Sequence, residues 1–489
     1  MINISINNVY CQIIGLSDIQ VIDKLDNALS FYIVGYQFSP AYKAHKWDGK
    51  KRLITSQLKF QTGLLPIVVE ILQKSSIEYT LNDTRQDVVF GKEIRLNPNY
   101  YIPRDYQEQI VDVCLKEKCG LIKAATGSGK TLAISMLIAK TNIKTVVYVI
   151  SLDLLYQTKA AIEEALGIEC GIVGDGNCII KKITIATPWS VANAYDKEYK
   201  PYDDEESKVG KEKLDQLSKI KIQKMVEGAQ CFIIDEVQFL AASSFQLIAN
   251  ASKSARYRLG FSGTPWRDDG QDLALTAATG PQLIDINATI LINRGVLVPP
   301  KIYFFEVPEL PGFERWEKKP YPQVYDTYIV ENETRNNMII ESVSKLHKNG
   351  RKILVLVKRK KHGIKLLEMM PKTISAYFLN GDATSEERQS VKDLFNANEL
   401  DVIIASSIFD QGIDLPKLDA LVLAGSGKSS TRALQRLGRV IRGAEGKKDA
   451  LIADFVDQAP YIYNHSKARW TIYKTEEAFQ IKLPEGIDW

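Results

Sequence analysis

The stretch Ala124-Ala-Thr-Gly-Ser-Gly-Lys-Thr131 follows an apolar strand-like run, Leu121–Ile122, and precedes a helical run, Leu132–Ala139. That strand–loop–helix setting identifies a P-loop and commits the chain around it to a parallel α/β sheet. Gly127 and Gly129 let the backbone turn so that the N–H groups of Thr126 to Gly129 surround a phosphate. The helix N-terminus adds partial positive charge. Lys130 is placed to reach the β- and γ-phosphates of ATP, and the Thr131 hydroxyl to ligate Mg²⁺. Ala124 stands where the first glycine is usual.

Around this loop, apolar β-branched runs alternate with helical patterns from about residue 93 to 290. The expected strands are Gly120–Ala124, Thr145–Ile150, Ile183–Ala186, Cys231–Ile234 and Arg258–Ser262. A second array follows Pro299-Pro300, with strands over Lys352–Val357, Ile374–Leu379, Val402–Ala405, Ala420–Leu423 and Ala450–Asp454. Residues 1–92 instead mix short strand-like runs with helical stretches near Ile19–Ile33 and Leu64–Lys74. Asp196 to Lys224 is dense in Lys, Asp and Glu, and reads as a solvated, partly helical insertion.

Cys231-Phe-Ile-Ile-Asp-Glu-Val-Gln238 is an apolar run ending in paired acids, about a hundred residues after the P-loop. Asp235 at the strand end suits Mg²⁺ through its water shell. Glu236 suits the polarising of an attacking water. A strand-end Asp-Glu pair alone often caps the next helix, but downstream of a P-loop it points to hydrolysis. Gly425-Ser-Gly-Lys-Ser429 looks like the end of a second P-loop. However, Val422 occupies the first glycine position, inside an apolar strand, so the segment reads as a plain loop.

With these motifs placed, the chain from about 100 to 460 resembles a superfamily 2 helicase in motif order and spacing. The resemblance implies an α/β fold: two tandem RecA-like parallel-sheet domains (93–290 and 291–489) preceded by a small N-terminal α+β domain (1–92). Ile102-Pro-Arg-Asp-Tyr-Gln107 resembles the adenine-recognition segment, with Gln107 on the base edge and Arg104 stacking on its face. Ser151 and Thr187 fall in segments that contact the nucleic-acid backbone. Ser262-Gly-Thr264 resembles the segment that couples hydrolysis to strand movement. In the second array, Thr384 and Ser406 match backbone contacts, and Gly412 and Asp414 belong to the segment that meets the ribose. Gln435-Arg-Leu-Gly-Arg-Val-Ile-Arg442 places Gln435 at the nucleotide and aims Arg439 and Arg442, on one helix face, at the γ-phosphate. Gln238 departs from the His or Asp usual in related motors. It can hydrogen-bond but cannot carry a proton.

Gly35-Tyr-Gln-Phe-Ser-Pro-Ala-Tyr42, Trp47-Asp-Gly-Lys-Lys-Arg-Leu53 and Thr62-Gly-Leu-Leu65 resemble the leading domain of UvsW-type phage recombination helicases. That resemblance implies an ATP hydrolase that remodels branched DNA: forks, four-way junctions and displacement loops. Lys43, Lys46, Lys50, Lys51 and Arg52, interleaved with Tyr42 and Trp47, are the expected DNA contacts of this domain. An RNA helicase or other superfamily 2 motor, and a non-motor module that has lost hydrolysis, stand as alternatives.

Composition narrows the classes further. Net charge is +4, so a nucleic-acid surface must come from local clustering. Six cysteines without a C-x-x-C pair and four scattered histidines argue against a zinc site or a disulfide framework, and for reduced thiols in a cytosol, the host's if phage-encoded. Ile2, Ile4 and Ile6 alternate with polar residues as a strand does, which is no signal peptide. No apolar run reaches the ~18 residues of a membrane span, so a soluble protein is expected.

Overall fold

A computed structural model of the chain describes residues 2–99, 102–195, 214–239, 242–266, 271–310, 319–406, 415–425, 427 and 430–487. Two compact units result. One is Met1–Ala124 with Gly129–Ile286; the other is Asn287–Trp489, with which the loop residues Ala125–Ser128 group.

The first unit begins with β1 (Ile2–Ile6) and β2 (Tyr10–Ile14), an antiparallel pair whose Ile2, Ile4 and Ile6 are buried, as their alternation predicts. The helix expected over Ile19–Ile33 covers only Ile19–Ala28, capped by the Asp18 carboxylate on Gln20 and Val21 N–H. Leu29 closes it, and the aromatic run that follows becomes β3 (Ser30–Tyr32), antiparallel to β4 (Lys50–Arg52). β5 (Lys59–Gln61) and β6 (Tyr79–Asp83) complete a four-stranded sheet of order β5-β2-β1-β6.

This small domain is fastened to the sheet that follows it. Its core includes Ala277 and the half-buried Leu273, both from helix Asp272–Thr279. Gly63 lies so close to that helix that a Cβ there would sit 2.0 Å from Thr276 O. Gln61 Nε2 donates to Asn250 Oδ1 at 2.9 Å. The connecting strap donates from Gly91 N to Thr141 O and from Ile94 N to Ala139 O, both at 3.0 Å. Buried Arg258 ties the receiving helices together by donating to Ala249 O, Ser252 O and Ala278 O.

The larger sheet of this unit contains the five expected strands, β7 (Cys119–Ala124), β8 (Thr145–Tyr148), β11 (Ile183–Ala186), β12 (Cys231–Asp235) and β13 (Tyr257–Ser262). It adds β9 (Gly171–Gly174), β10 (Asn177–Ile179) and β14 (Gln282–Ile286), in the order β10-β9-β11-β8-β12-β13-β7-β14. Only β10 runs antiparallel to its neighbour. The charged segment Asp196–Lys224 needs a correction. Residues 196–213 lie outside the described residues, but the helix Gln216–Gly228 begins within the segment and buries Ile222, Met225 and Val226 in the core. Its apolar positions recur three and four apart, and the dense charge around them masked that face.

The second unit is an all-parallel sheet of order β17-β18-β16-β19-β20-β15-β21. Its strands are β15 (Pro300–Val307), β16 (Ile353–Leu356), β17 (Ala376–Leu379), β18 (Val402–Ala405), β19 (Ala420–Val422), β20 (Ala450–Asp457) and β21 (Gln480–Lys482). Both parallel sheets are RecA-like, and the small leading domain precedes them. No described helix is long and apolar enough to cross a membrane.

Candidate functional site

The P-loop leaves β7 and enters helix Lys130–Thr141. Gly127 and Gly129 take φ of 87° and 78°, the left-handed region that glycine adopts without cost. A Cβ on Gly129 would also meet Gln107 Nε2 at 2.4 Å. Gln107 is buried at the start of helix Asp105–Glu117, and its Oε1 accepts from Arg104 N at 2.9 Å. Arg104 Nη1 donates to the Tyr106 hydroxyl at 3.1 Å. The two residues expected at adenine are therefore fixed to each other beside the phosphate loop.

Asp235 ends β12 and is nearly buried. Burial pushes its carboxyl up, and the Lys130 ammonium opposes that shift. Lys130 Nζ stands 3.0 Å from Glu236 Oε1. Glu236 itself adopts φ +55°, a conformation costly for a residue with a side chain. Its other oxygen accepts from Gln238 Nε2 at 2.9 Å, and Gln238 Oε1 accepts from the Ser262 hydroxyl. Ser262 Oγ in turn accepts from Thr264 N at 2.8 Å. A chain thus runs Lys130–Glu236–Gln238–Ser262–Thr264. Gln238 does what a donor–acceptor amide can: it binds the carboxylate with one end and a hydroxyl with the other. Thr131 and Asp235 supply a hydroxyl and a carboxylate, hard oxygen donors that fit Mg²⁺ shared with nucleotide phosphates and water. Among the described residues no cluster of three or more His, Cys, Asp or Glu offers another metal site.

In the second unit, Gln435 and Arg439 lie on helix Ser430–Val440, but Arg442 does not. The helix stops at Val440, and Arg442 pairs in an isolated antiparallel bridge with Leu297, with Val298 N donating to Ile441 O at 2.9 Å. Gly443 follows, and the extended pairing replaces the helical turn that the Arg-x-x-Arg spacing suggested. Gly412 and Asp414 lie outside the described residues.

Ser151 and Thr384 are N-caps, accepting from Leu154 N and Glu387 N at 3.2 Å. Thr187 also precedes a helix, but it is buried and its hydroxyl is shared with Ser190 at 2.8 Å, so it is not presented to a ligand. Ser406 follows β18 and is half-buried. In the leading domain, Arg52 is held by Asp26 and Asp48, Lys50 Nζ donates to Asn27 Oδ1, Lys51 is half-buried, and Lys43 and Lys46 are exposed.

Sequence reasoning missed a set of buried groups behind the Gly425 loop. Arg335 pairs with Asp457 on β20 at 2.6 Å and donates to Ala424 O at 2.6 Å. Arg469 pairs with Asp454 on the same strand at 2.6 Å and donates to Gly427 O at 3.1 Å. Lys447 reaches the carbonyls of Val440 and Leu418, and burial lowers its ammonium to about 8. The loop that resembled a second P-loop is thus clamped to β20, and the carbonyl end of the arginine-bearing helix is capped.

Three family models match the chain: "DNA helicase UvsW, N-terminal" over residues 2–82, "Type III restriction enzyme, res subunit" over 100–267, and "Helicase conserved C-terminal domain" over 334–444. The "DNA 3'-5' translocase XPB2" of Sulfurisphaera tokodaii is 26% identical over 75% of this chain and 84% of its own length. The "ATP-dependent DNA helicase uvsW" of Enterobacteria phage T4 is 22% identical over 89% of this chain and 87% of its own. Other relatives are longer, and the chain spans 56 to 61% of three of them. A solved fragment of an HsdR subunit of a type I restriction enzyme from Vibrio vulnificus shares the fold, at TM-score 0.54 and 16% identity over 78% of this chain and 68% of its own.

Proposed function

The chain belongs to the UvsW-type superfamily 2 helicases, ATP-dependent nucleic-acid motors, and from that premise we propose that it translocates on DNA and remodels branched structures: branch migration, fork reversal and displacement-loop unwinding in recombination and repair. The observation that carries this reading is the match of the leading domain to the UvsW N-terminal family. Its attachment through Gly63 and Gln61 to the unit that holds Lys130 and Glu236 supports the same reading.

ATP is the substrate of the proposed cycle. Without it Lys130 neutralises Glu236; the γ-phosphate competes for the lysine and leaves the carboxylate free to accept a proton from water. Gln238 keeps that carboxylate oriented, because its Oε1 is held by Ser262 while its Nε2 holds Glu236. Thr131 and Asp235 would hold Mg²⁺, which would offset phosphate charge. Arg439 and Arg442 stabilise charge in the transition state. ATPase rates compared on single-stranded DNA, duplex, fork, four-way junction and RNA test the reading. Strongest stimulation by forks or junctions is expected; strongest stimulation by RNA makes the chain an RNA motor, and no stimulation by any makes it a binding module.

A further inference from the structure

The leading domain exposes an apolar tip. Phe38 is 79% exposed, Val34 70% and Tyr32 52%. Solvent-facing side chains of this size, grouped within seven residues, mark a contact surface more often than an accident. The tip is rigid. Tyr36 N donates to Ile33 O and Phe38 N to Gly35 O, both at 3.0 Å, and Ile33 N donates to Gly49 O at 2.9 Å. Behind it, Tyr36 stacks on Tyr32 at 4.9 Å between ring centroids and meets the edge of Tyr42 at 4.8 Å. Gly49, with φ +84°, is required there, because a Cβ would enter the Tyr36 ring at 2.3 Å. The aromatics singled out in the sequence are thus engaged inside the domain. Tyr42 buttresses Tyr36, and Trp47 donates its indole N–H to Lys50 O at 2.9 Å.

Charge decides what this tip meets. Lys43 and Lys46 are exposed beside it, and the partners of Lys50 are neutral: the Asn27 amide at 2.8 Å and the Tyr32 ring at 5.3 Å. The nearby carboxylates of Asp26 and Asp48 are both occupied by Arg52. An exposed ring and aliphatic side chain flanked by uncompensated ammonium groups fit a chain that alternates flat apolar faces with negative charges. The geometry points to Phe38 and Val34 as a platform for unpaired bases at a branch, with Lys43 and Lys46 on the adjoining phosphates. This assignment deepens the branched-DNA reading and rests on it.

The test measures affinity of the full-length chain for a fork with single-stranded arms and for a blunt duplex of equal length. Phe38→Ala is expected to weaken fork binding about 5- to 160-fold, the range for losing one stacked base, and to leave duplex binding unchanged. Phe38→Trp restores the fork preference, which separates stacking from damage to the fold. Lys43→Ala with Lys46→Ala lowers the salt slope of fork binding by up to ~2. The assignment is overturned if Phe38→Ala binds the fork like its parent or loses fork and duplex equally. It is also overturned if the tip proves to be a self-association surface, seen as a parent dimer in sedimentation that Phe38→Ala dissolves. A parent enzyme with no preference for the fork over the duplex sinks the branched-DNA reading itself, a different result from an unaltered preference in the variant.

Discussion

In the first unit the pair Lys130 and Glu236, at a helix start and just past a strand end, keeps part of its surface exposed, whereas in the second the pair Arg335 and Asp457 is sealed inside. Lys130 and Glu236 keep 10% and 19% of their side chains exposed; Arg335 and Asp457 keep 0% and 2%. The first pair can exchange partners, and exchange is what a hydrolytic site needs. Burial raises the Asp457 carboxyl, and the Arg335 guanidinium opposes that shift, so the second pair holds only while both members stay. One architecture therefore uses ion pairs in two ways: as a partly exposed contact beside the phosphate loop, and as a buried clamp on the carbonyls of Ala424 and Gly427.

The contrast breaks most visibly at the exchangeable pair. Glu236→Gln should lower ATP turnover by about 10²- to 10⁴-fold while ATP binding persists, because only the water-polarising carboxylate is lost. Turnover at the parental rate would show that another group polarises the water. Lys130→Ala should lose turnover too, but with weakened ATP binding.

At the sealed pair the order of effects reverses. Arg335→Met leaves a buried Asp457 carboxylate alone and should destabilise the protein by about 3–5 kcal/mol in urea titrations. Adding Asp457→Leu should recover much of that loss. If the single variant costs less than ~1 kcal/mol, the clamp is ornamental.

Gln238→Ala sharpens the comparison at intermediate strength. It removes no charge, so ATP binding should hold while turnover falls about tenfold as Glu236 loses its orientation. Gln238→Glu should fall further, because a second carboxylate beside Glu236 would repel it. An unchanged rate in both would mean that Ser262 and Glu236 are not coupled through this side chain.

A further expected effect, on stability alone, belongs to pH. His362 is buried beside Asn336, and burial, reinforced by Arg335, lowers its imidazole to about 3. The unfolded chain takes up that proton near 6.5 and the folded chain does not, so stability falls as pH drops below 6.5. The loss should reach about 2 kcal/mol between pH 6.5 and about 5, measured in urea. His362→Gln should flatten that slope; an unchanged slope would place the linkage elsewhere.

What the sequence disclosed follows from what its patterns record. Buried parallel strands are uninterrupted β-branched runs, so β7, β8, β11, β12 and β13 were legible, whereas β9, with Gly171 and Gly174 at its ends, was not. The P-loop and the acid pair were legible because backbone freedom and strand-end carboxylates leave local signatures. Arg335, Asp457 and Arg469 left none: a charge reads as surface until the fold buries it. Phe38 misleads in the opposite sense, since an aromatic residue reads as core, and it is Tyr42 and Trp47 that stand among the basic residues. Deleting residues 1–92 would not isolate the leading domain's role. With Ala277 and Leu273 in that domain's core, the cut would strip cover from the motor, and single substitutions serve better.

The contact at Gly63 has a mechanical consequence. A glycine backbone pressed against Thr276 and Ala277 seats the leading domain directly on helix Asp272–Thr279. That helix lies in sequence between the Ser262–Thr264 segment and β14. Any side chain at position 63 would have to push the leading domain off this helix, so one missing Cβ sets how closely the two pack.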